Sequence, residues 1–272
     1  MINKYFTVEV KPEINASLLN AAALASDDDV IFTWTPFEVP KGSCRLLNVT
    51  ARVASNDGTA QHHPFQLFFA KSRLNASSGH IEAPTSIGNF NDAVTSQKSI
   101  NQILGGIKIE TIDYMCQSLV GDSIASTGNS VAANGSNVTM VLTPEGTPAD
   151  KYWDGSDWVA ITPGYDVLWV AGVACGAMQF ASTVQTDDAS ELGIVAGATK
   201  FHTDTKDANL VFSVGDKIQE LDNTIIGTIA QISSATGTDV DITLEAPLEN
   251  GIDDGVKIYH RTPVRLVLSF EK

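Results

Sequence analysis

The chain is short of cysteine, of basic residues and of long apolar runs, and each shortage narrows what the protein can be. Its 272 residues include three cysteines, Cys44, Cys116 and Cys175, an odd number at wide spacing. This pattern argues against a disulfide framework and against a Cys-x-x-Cys metal site. We therefore expect inert thiols, as in proteins made in a reducing cytoplasm.

Signals for membrane insertion and export are also lacking. No stretch reaches the ~18–20 apolar residues that a membrane-spanning helix needs. The first residues, MINKYFTVEVKPEI, contain no apolar segment of the kind found in secretion signals. The sequence therefore predicts a protein with no membrane partner.

Basic residues are outnumbered by acidic ones. The 17 lysines and arginines stand against 32 aspartates and glutamates, which gives a net charge of −15. A nucleic-acid backbone would be repelled by such a surface as a whole. DNA and RNA are therefore not expected as partners.

Motifs of common enzymes are missing as well. The chain has no G-x-S-x-G nucleophile elbow, no phosphate-binding loop and no dinucleotide fingerprint. A glycosidase needs only two carboxylates brought together by the fold, about 5–10 Å apart, so the sequence leaves that class open. The expectation is a protein without catalytic residues or a cofactor, and not an enzyme.

Two groups of residues invite a metal hypothesis. His62 and His63 are adjacent, so on a strand their rings would point to opposite faces, and His80 would have to fold back to join them. The aspartates at 150, 154, 157 and 166 do not follow the spacing of an EF-hand loop, and aspartate is common in turns. No metal site is predicted, although a structural calcium ion stays open.

Strand patterns recur along most of the chain. Phe6, Val8 and Val10 alternate with polar residues, and similar runs occupy 30–34, 44–55, 65–69, 136–144 and 166–176. Helix is favoured only at 14–26 and 92–104, and Asp57-Gly58 predicts a hairpin turn. The fold predicted is mainly β, a sandwich of jelly-roll or Greek-key type.

Residues 167–180 are apolar at consecutive positions, VLWVAGVACGAMQF. Consecutive apolar residues on a strand indicate that both of its faces are covered. A central strand or a contact between subunits would provide that cover. We expect a homo-oligomer.

A second module is predicted near the C-terminus. Four short strand-and-turn units lie between 211 and 259, and an alternating strand, TPVRLVLSF, resumes at Thr262. The interpretation is a small β-barrel at 198–261, inserted into a main sandwich domain formed by 1–197 and 262–272.

Two tryptophans flank a predicted hairpin tip. Trp153 and Trp158 stand on either side of Asp154-Gly155. Aromatic rings at the tip of a hairpin can contact a ligand or a neighbouring subunit. Trp153 and Trp158 are the candidate contact residues of the chain.

The segment FTWTPFEVPKGSCRLLNVTARVASNDGT, followed by QLFFAKS, resembles the opening of structural proteins of tailed bacteriophages, particularly marine cyanophages. The shared motifs are a W-T-P-F-x-V-P-x-G turn, here Trp34 to Gly42, and an F-F-A-K-S strand end, here Phe68 to Ser72. The module at 198–261 looks like a small barrel that recurs in their virion proteins. The chain does not resemble the major capsid protein of such phages, because that fold would need a long spine helix and the sequence predicts none.

This resemblance implies a structural virion protein, first of all a capsid decoration protein that stabilises the assembled head. The expected partners are further copies of the chain, as a trimer, and the major capsid protein or other virion proteins. The expected location is the phage particle, after synthesis in the cytoplasm of the host bacterium. The alternative is a tail- or fibre-associated protein that binds a receptor or carbohydrate through Trp153 and Trp158.

Overall fold

A computed structural model of the chain describes residues 4–14, 16–19, 29–54, 60, 62–75, 80–84, 102–115, 122–127, 140–144, 150–154, 157–178, 180, 182–187, 194–204, 208–222, 224–233 and 240–272. These residues form nineteen strands in four sheets. Their helical elements are a four-residue α-helix, Ala208–Val211, and 3₁₀ turns at Ala16–Leu19 and Thr111–Asp113, and Thr127 is also in a 3₁₀ conformation. The chain is mainly β, as predicted.

Two antiparallel sheets make the main sandwich. The first has the order β1-β19-β3-β8, with β9 also paired to β3, and the second has the order β2-β12-β4-β7. The bounds in the first sheet are β1 Tyr5–Val10, β3 Cys44–Val53, β8 Ser123–Ser126, β9 Met140–Leu142 and β19 Val264–Glu271. Those in the second are β2 Val30–Pro40, β4 Phe65–Lys71, β7 Ile103–Ile109 and β12 Tyr165–Ala174.

The path of the chain through these sheets is that of a jelly roll. Along the chain, strands of the first sheet (β1, β3, β8 and β19) alternate with those of the second (β2, β4, β7 and β12), except that β7 follows β4 within the second sheet. Eight strands in two sheets with these strand orders are two interlocked Greek keys. The predicted fold class is confirmed at this level.

Side chains that alternate along the strands fill the space between the two sheets. Leu266, Leu268 and Phe270 of β19 are fully buried, and Phe65 and Phe69 of β4 face them from the other sheet. Burying a side chain of this size stabilises the fold by about 1.5–3 kcal/mol. The period-two pattern in the sequence thus selects the inner face of each strand.

Strand β12 is covered on both faces. Leu168, Val170 and Ala174 belong to the core of the sandwich, and Trp169 and Ala171 belong to a separate core on the opposite face. The apolar run is therefore a central strand. Its side chains are hidden by the chain itself, so the run does not call for a subunit contact, and the oligomer stays a prediction.

Several predicted local structures fall partly or wholly outside the described residues. Within the predicted helix at 14–26, residues 16–19 form a 3₁₀ turn instead. At 92–104 the described end is non-helical, because Ile103 and Leu104 begin β7. The Asp57-Gly58 hairpin and Cys116 lie outside the described residues. The glycine that ends the W-T-P-F-x-V-P-x-G motif, Gly42, lies at φ 97° in the turn between β2 and β3.

The third sheet is built from two connections of the jelly roll. Its order is β11-β10-β6-β5. The strands are β5 Arg73–Asn75 and β6 His80–Glu82, from the connection between β4 and β7, and β10 Lys151–Trp153 and β11 Trp158–Ala160, from the connection before β12. Strand β10 pairs with β6 in parallel, and the other pairs are antiparallel.

The fourth sheet is formed by the connection between β12 and β19. Its order is β13-β14-β17-β16-β15-β18. The strands are β13 Thr186–Asp187, β14 Lys200–Thr203, β15 Lys217–Gln219, β16 Ile225–Ile232, β17 Val240–Leu244 and β18 Tyr259–His260. Its core is formed by buried residues between Val184 and Ile258. The sheet thus begins upstream of the predicted boundary at 198.

The predicted barrel is not closed by the strands that the structure describes. The two edge strands, β13 and β18, have two residues each, and no ladder joins them to one another in the described part of the chain. The edges meet at an isolated bridge between Gln185 and Lys257, where Thr186 N donates to Val256 O at 2.9 Å. The sheet is therefore curled but open.

The ends of this insertion lie side by side, which predicts that it can be removed. Ile258 N donates to Val184 O at 3.0 Å, so a short Gly-Ser linker can replace 185–257 without stretching the chain. We expect the shortened protein to keep the β-type circular dichroism spectrum and a cooperative thermal transition. A shortened protein that is unfolded would show that the jelly roll depends on the insertion.

Candidate functional site

The third sheet packs on the outer face of the second jelly-roll sheet. Tyr152 and Ile81 are register partners on β10 and β6, and both are buried against β12. The ring of Tyr152 meets that of Trp169 edge-on, with centroids 5.6 Å apart at 89°. The inner face of the third sheet is therefore fixed to the sandwich by an aromatic contact.

Hydrogen bonds hold Trp169 at this contact. Its indole Nε1 donates to Ser72 Oγ at 3.0 Å, and Ser72 Oγ donates to the Val167 carbonyl at 3.1 Å. All three residues are buried, so the polar end of the indole has a partner where water is excluded. These hydrogen bonds fix the position of Trp169, on which the inner face of the third sheet packs.

Trp153 and Trp158 lie on the outer face of the third sheet. They are register partners across β10 and β11, and their ring centroids are 5.1 Å apart with planes inclined at 55°. Trp158 is 42% exposed, and Trp153 is half-buried. Asp157 N donates to Asp154 Oδ1 at 2.8 Å in the turn between the strands. The structure thus brings the two predicted residues together and directs them away from the core.

The same face continues into a carboxylate and a guanidinium. Glu82 on β6 is the register partner of both Trp153 and Arg73. Arg73 Nη2 and Glu82 Oε2 form an ion pair at 2.7 Å, and Arg73 Nε donates to the Ala83 carbonyl at 3.1 Å. Trp158, Trp153, Glu82 and Arg73 therefore form one line across four strands, which we call the outer row.

Sequence reasoning missed the two polar members of the outer row. Arg73 and Glu82 lie on the three-residue strands β5 and β6. Strands of this length give no periodic signal. Their position beside Trp153 depends on the parallel pair β6 and β10, which joins segments about 70 residues apart in sequence.

The histidine pair packs and does not converge with other ligands. The His62 ring stacks on Tyr114 with centroids 4.9 Å apart, and Tyr114 Oη donates to the His63 carbonyl at 2.8 Å. Burial lowers the pKa of His63 and so favours its neutral form. Among the described residues, no three His, Cys, Asp or Glu side chains are grouped as a metal site would require.

Cys44 behaves as a small apolar residue. It is buried, its Sγ lies 3.7 Å from the Leu142 carbonyl, and burial raises its thiol pKa to about 11. A thiol with so high a pKa is a poor nucleophile at neutral pH. Cys175 is half-buried and forms no disulfide among the described residues.

A cleft of about 400 Å³ separates the jelly roll from the fourth sheet. Five basic residues line it, namely Lys11, Arg52, Lys217, Arg261 and Arg265. Most of them are paired with carboxylates. The pairs are Arg52 with Asp122, Arg261 with Glu13 at 2.7 Å, Arg265 with Glu9, and Lys11 with Glu9 at 3.6 Å. Arg52 Nη2 also donates to Ser213 Oγ at 3.4 Å, a hydrogen bond that joins the jelly roll to the unit of the fourth sheet.

Helices able to span a bilayer are not found in the part of the chain that the structure describes.

Comparisons with known proteins add little. No family model and no curated protein matches the chain. A solved structure of PNGF-II aligns over 98% of this chain and 61% of its own length, at 10% identity and a TM-score of 0.15. A likeness that weak carries no argument about fold or function.

Proposed function

We propose that the protein is a structural component of a tailed-bacteriophage virion, a decoration protein that binds the assembled head, and that it is not an enzyme. The observation that carries the proposal is the placement of the phage-like motifs. Trp34 to Gly42 covers the later part of β2 and the turn after it, and Phe68 to Ser72 covers the end of β4 and the residue after it. Both motifs thus belong to the frame of a jelly roll, a fold that also builds viral capsid domains.

The mechanism proposed is mechanical. Many copies, each part of a trimer, bind the major capsid protein where its subunits meet, and they bind the assembled shell better than free subunits. Such preferential binding stabilises the shell by mass action, by about 2.7 kcal/mol per site when the free protein is at 100 times its Kd. A net charge of −15 keeps the protein soluble before it assembles in the host cytoplasm.

The proposal predicts that the purified protein protects phage particles. Particles stripped of it and then incubated with it should release their DNA at a temperature several degrees higher than stripped particles alone. DNA release is followed with a dye during heating, and an unrelated protein of equal charge is the control. If the protein does not sediment with stripped particles, or leaves the release temperature unchanged, it does not decorate the head.

A second candidate is a tail- or fibre-associated protein that binds a receptor or carbohydrate. The observation that favours it is the outward direction of the Trp153 and Trp158 pair, with Trp158 42% exposed. Copy number separates the two candidates. Quantitative mass spectrometry of whole particles should give a number close to that of the major capsid protein for a decoration protein, and only a few copies for a tail protein.

A further inference from the structure

We infer that the outer row is a binding site for an uncharged oligosaccharide, which lies across the strands over Trp158, Trp153, Glu82 and Arg73. The inference deepens the second candidate function and rests on it for the use of the two tryptophans. It does not depend on where the protein sits in the particle, because a decoration protein can carry the same site.

The aromatic half of the row can hold a sugar ring. One face of a pyranose presents C–H groups, which pack on the flat side of an indole, while the ring hydroxyls stay at the edge in contact with water and polar groups. Trp158 offers such a surface, since it is 42% exposed and lies beside the Trp153 ring at 5.1 Å. Two neighbouring indoles give contact surfaces for successive sugar rings.

The polar half of the row can hold hydroxyl groups. The Glu82 carboxylate accepts hydrogen bonds. The Arg73 guanidinium has five N–H donors, which is more than its contacts with Glu82 and Ala83 use. The side chain of Arg73 is 43% exposed and that of Glu82 is 16% exposed, so the pair borders solvent. A sugar hydroxyl is both donor and acceptor, and it suits a site that contains one group of each kind.

Charge selects an uncharged ligand. The positive charge of Arg73 is balanced by Glu82 at 2.7 Å, so the pair leaves no net charge to attract a uronic acid or sulfate. At the other end of the row, the turn beside the tryptophans carries Asp154 and Asp157. The chain as a whole has a net charge of −15. An acidic polysaccharide would be repelled by the two aspartates and by the net charge of the chain, and the neutral Arg73–Glu82 pair would not attract it.

The row also has the length and stiffness that an oligosaccharide needs. Four strands with a spacing of about 4.8 Å give a row about 14 Å long, enough for a few sugar rings. The strands are anchored from behind by Tyr152 and Ile81, which are buried against the jelly roll. A surface that is already ordered loses little conformational entropy on binding.

The test uses the full chain and neutral trisaccharides as probes, namely maltotriose, cellotriose and laminaritriose, with trigalacturonic acid as the acidic contrast. Binding is measured by calorimetry, and the indole N–H signals of the four tryptophans are followed by NMR. We expect at least one neutral probe to bind and to shift the Trp153 and Trp158 signals while those of Trp34 and Trp169 stay in place. The acidic probe should bind more weakly or not at all.

Variants locate the site. Trp158→Ala should weaken binding at least about tenfold, because an exposed aromatic contact is removed. Glu82→Gln should weaken it less and should leave the indole shifts in place. Tyr5→Ala is the matched control, since Tyr5 is a 59% exposed aromatic residue on β1, and it should bind as the parent does.

Three results would overturn the inference: no neutral probe binds, the acidic probe binds more tightly, or Trp158→Ala binds as well as the parent. Thermal unfolding of each variant confirms that it is folded. Sugar binding and particle location are measured separately. A low copy number per particle would argue against head decoration and leave the sugar site to be decided by the binding measurement. A protein that binds no sugar could still decorate the head.

Discussion

Replacing Gly172 by alanine is expected to lower the free energy of unfolding by about 2–3 kcal/mol, the upper part of the ~1–3 kcal/mol range found when a well-packed core is overfilled. Gly172 lies on β12 opposite Phe32 of β2. A Cβ at this position would overlap the Phe32 ring, with Cζ only 2.7 Å away. The ring is fully buried and cannot turn into solvent. Chemical denaturation followed by circular dichroism measures the loss.

A double-mutant cycle gives the control. Phe32→Leu alone should destabilise the protein, because it leaves a cavity beside Gly172. In the double variant the new methyl group would occupy part of that cavity, so the two losses should sum to more than the loss in the double variant. Strictly additive losses would mean that Phe32 is not what limits the space at residue 172.

The second large effect is expected for Trp169→Ala, with a loss of about 3–5 kcal/mol, the cost of truncating a buried tryptophan. Trp169 is fully buried, contacts the Tyr152 ring at 5.6 Å and donates to Ser72. Its removal opens a cavity between the third sheet and the jelly roll. The third sheet should then separate from the sandwich, which faster hydrogen exchange of the β10 amides would report.

Trp158→Ala is the matched variant, because it removes the same side chain from the outer face of the third sheet, whereas Trp169 of β12 packs against the inner face of that sheet. Trp158 is 42% exposed, so we expect its loss to change stability by no more than about 0.5 kcal/mol. A large loss at Trp158 together with a small loss at Trp169 would mean that the inner and outer faces of the third sheet are reversed.

Strand β19 shows what the sequence could predict. Val264, Leu266, Leu268 and Phe270 alternate with less buried residues, and every one of the four is buried in the sandwich. A period of two places such residues on one face wherever the strand lies, so the mainly β class followed directly from the pattern. The turn at Gly42 also has a local cause. Proline and glycine are common in turns, and Gly42 adopts a φ of 97°, which glycine tolerates best.

Strand β12 marks the limit of such reasoning. Its apolar run predicts cover on both faces, but a neighbouring sheet and a neighbouring subunit would bury Trp169 and Ala171 equally well. The sheet that covers them is made of four three-residue strands from two separate connections. Only the turn residues between β10 and β11 indicated a hairpin. No local pattern predicts β5 and β6, because the stability of strands that short comes from the surface on which they pack.

The candidate site divides in the same way. The sequence by itself determined that Trp153 and Trp158 would stand together, because a hairpin turn relates residues that are close along the chain. Only the tertiary structure decided that they face outward and that Glu82 and Arg73 extend their row. It also decided that the fourth sheet stays open, since no continuous ladder joins β13 to β18 among the described residues. Pairing between distant segments depends on how whole sheets pack, and the residues of each strand taken alone do not contain that information.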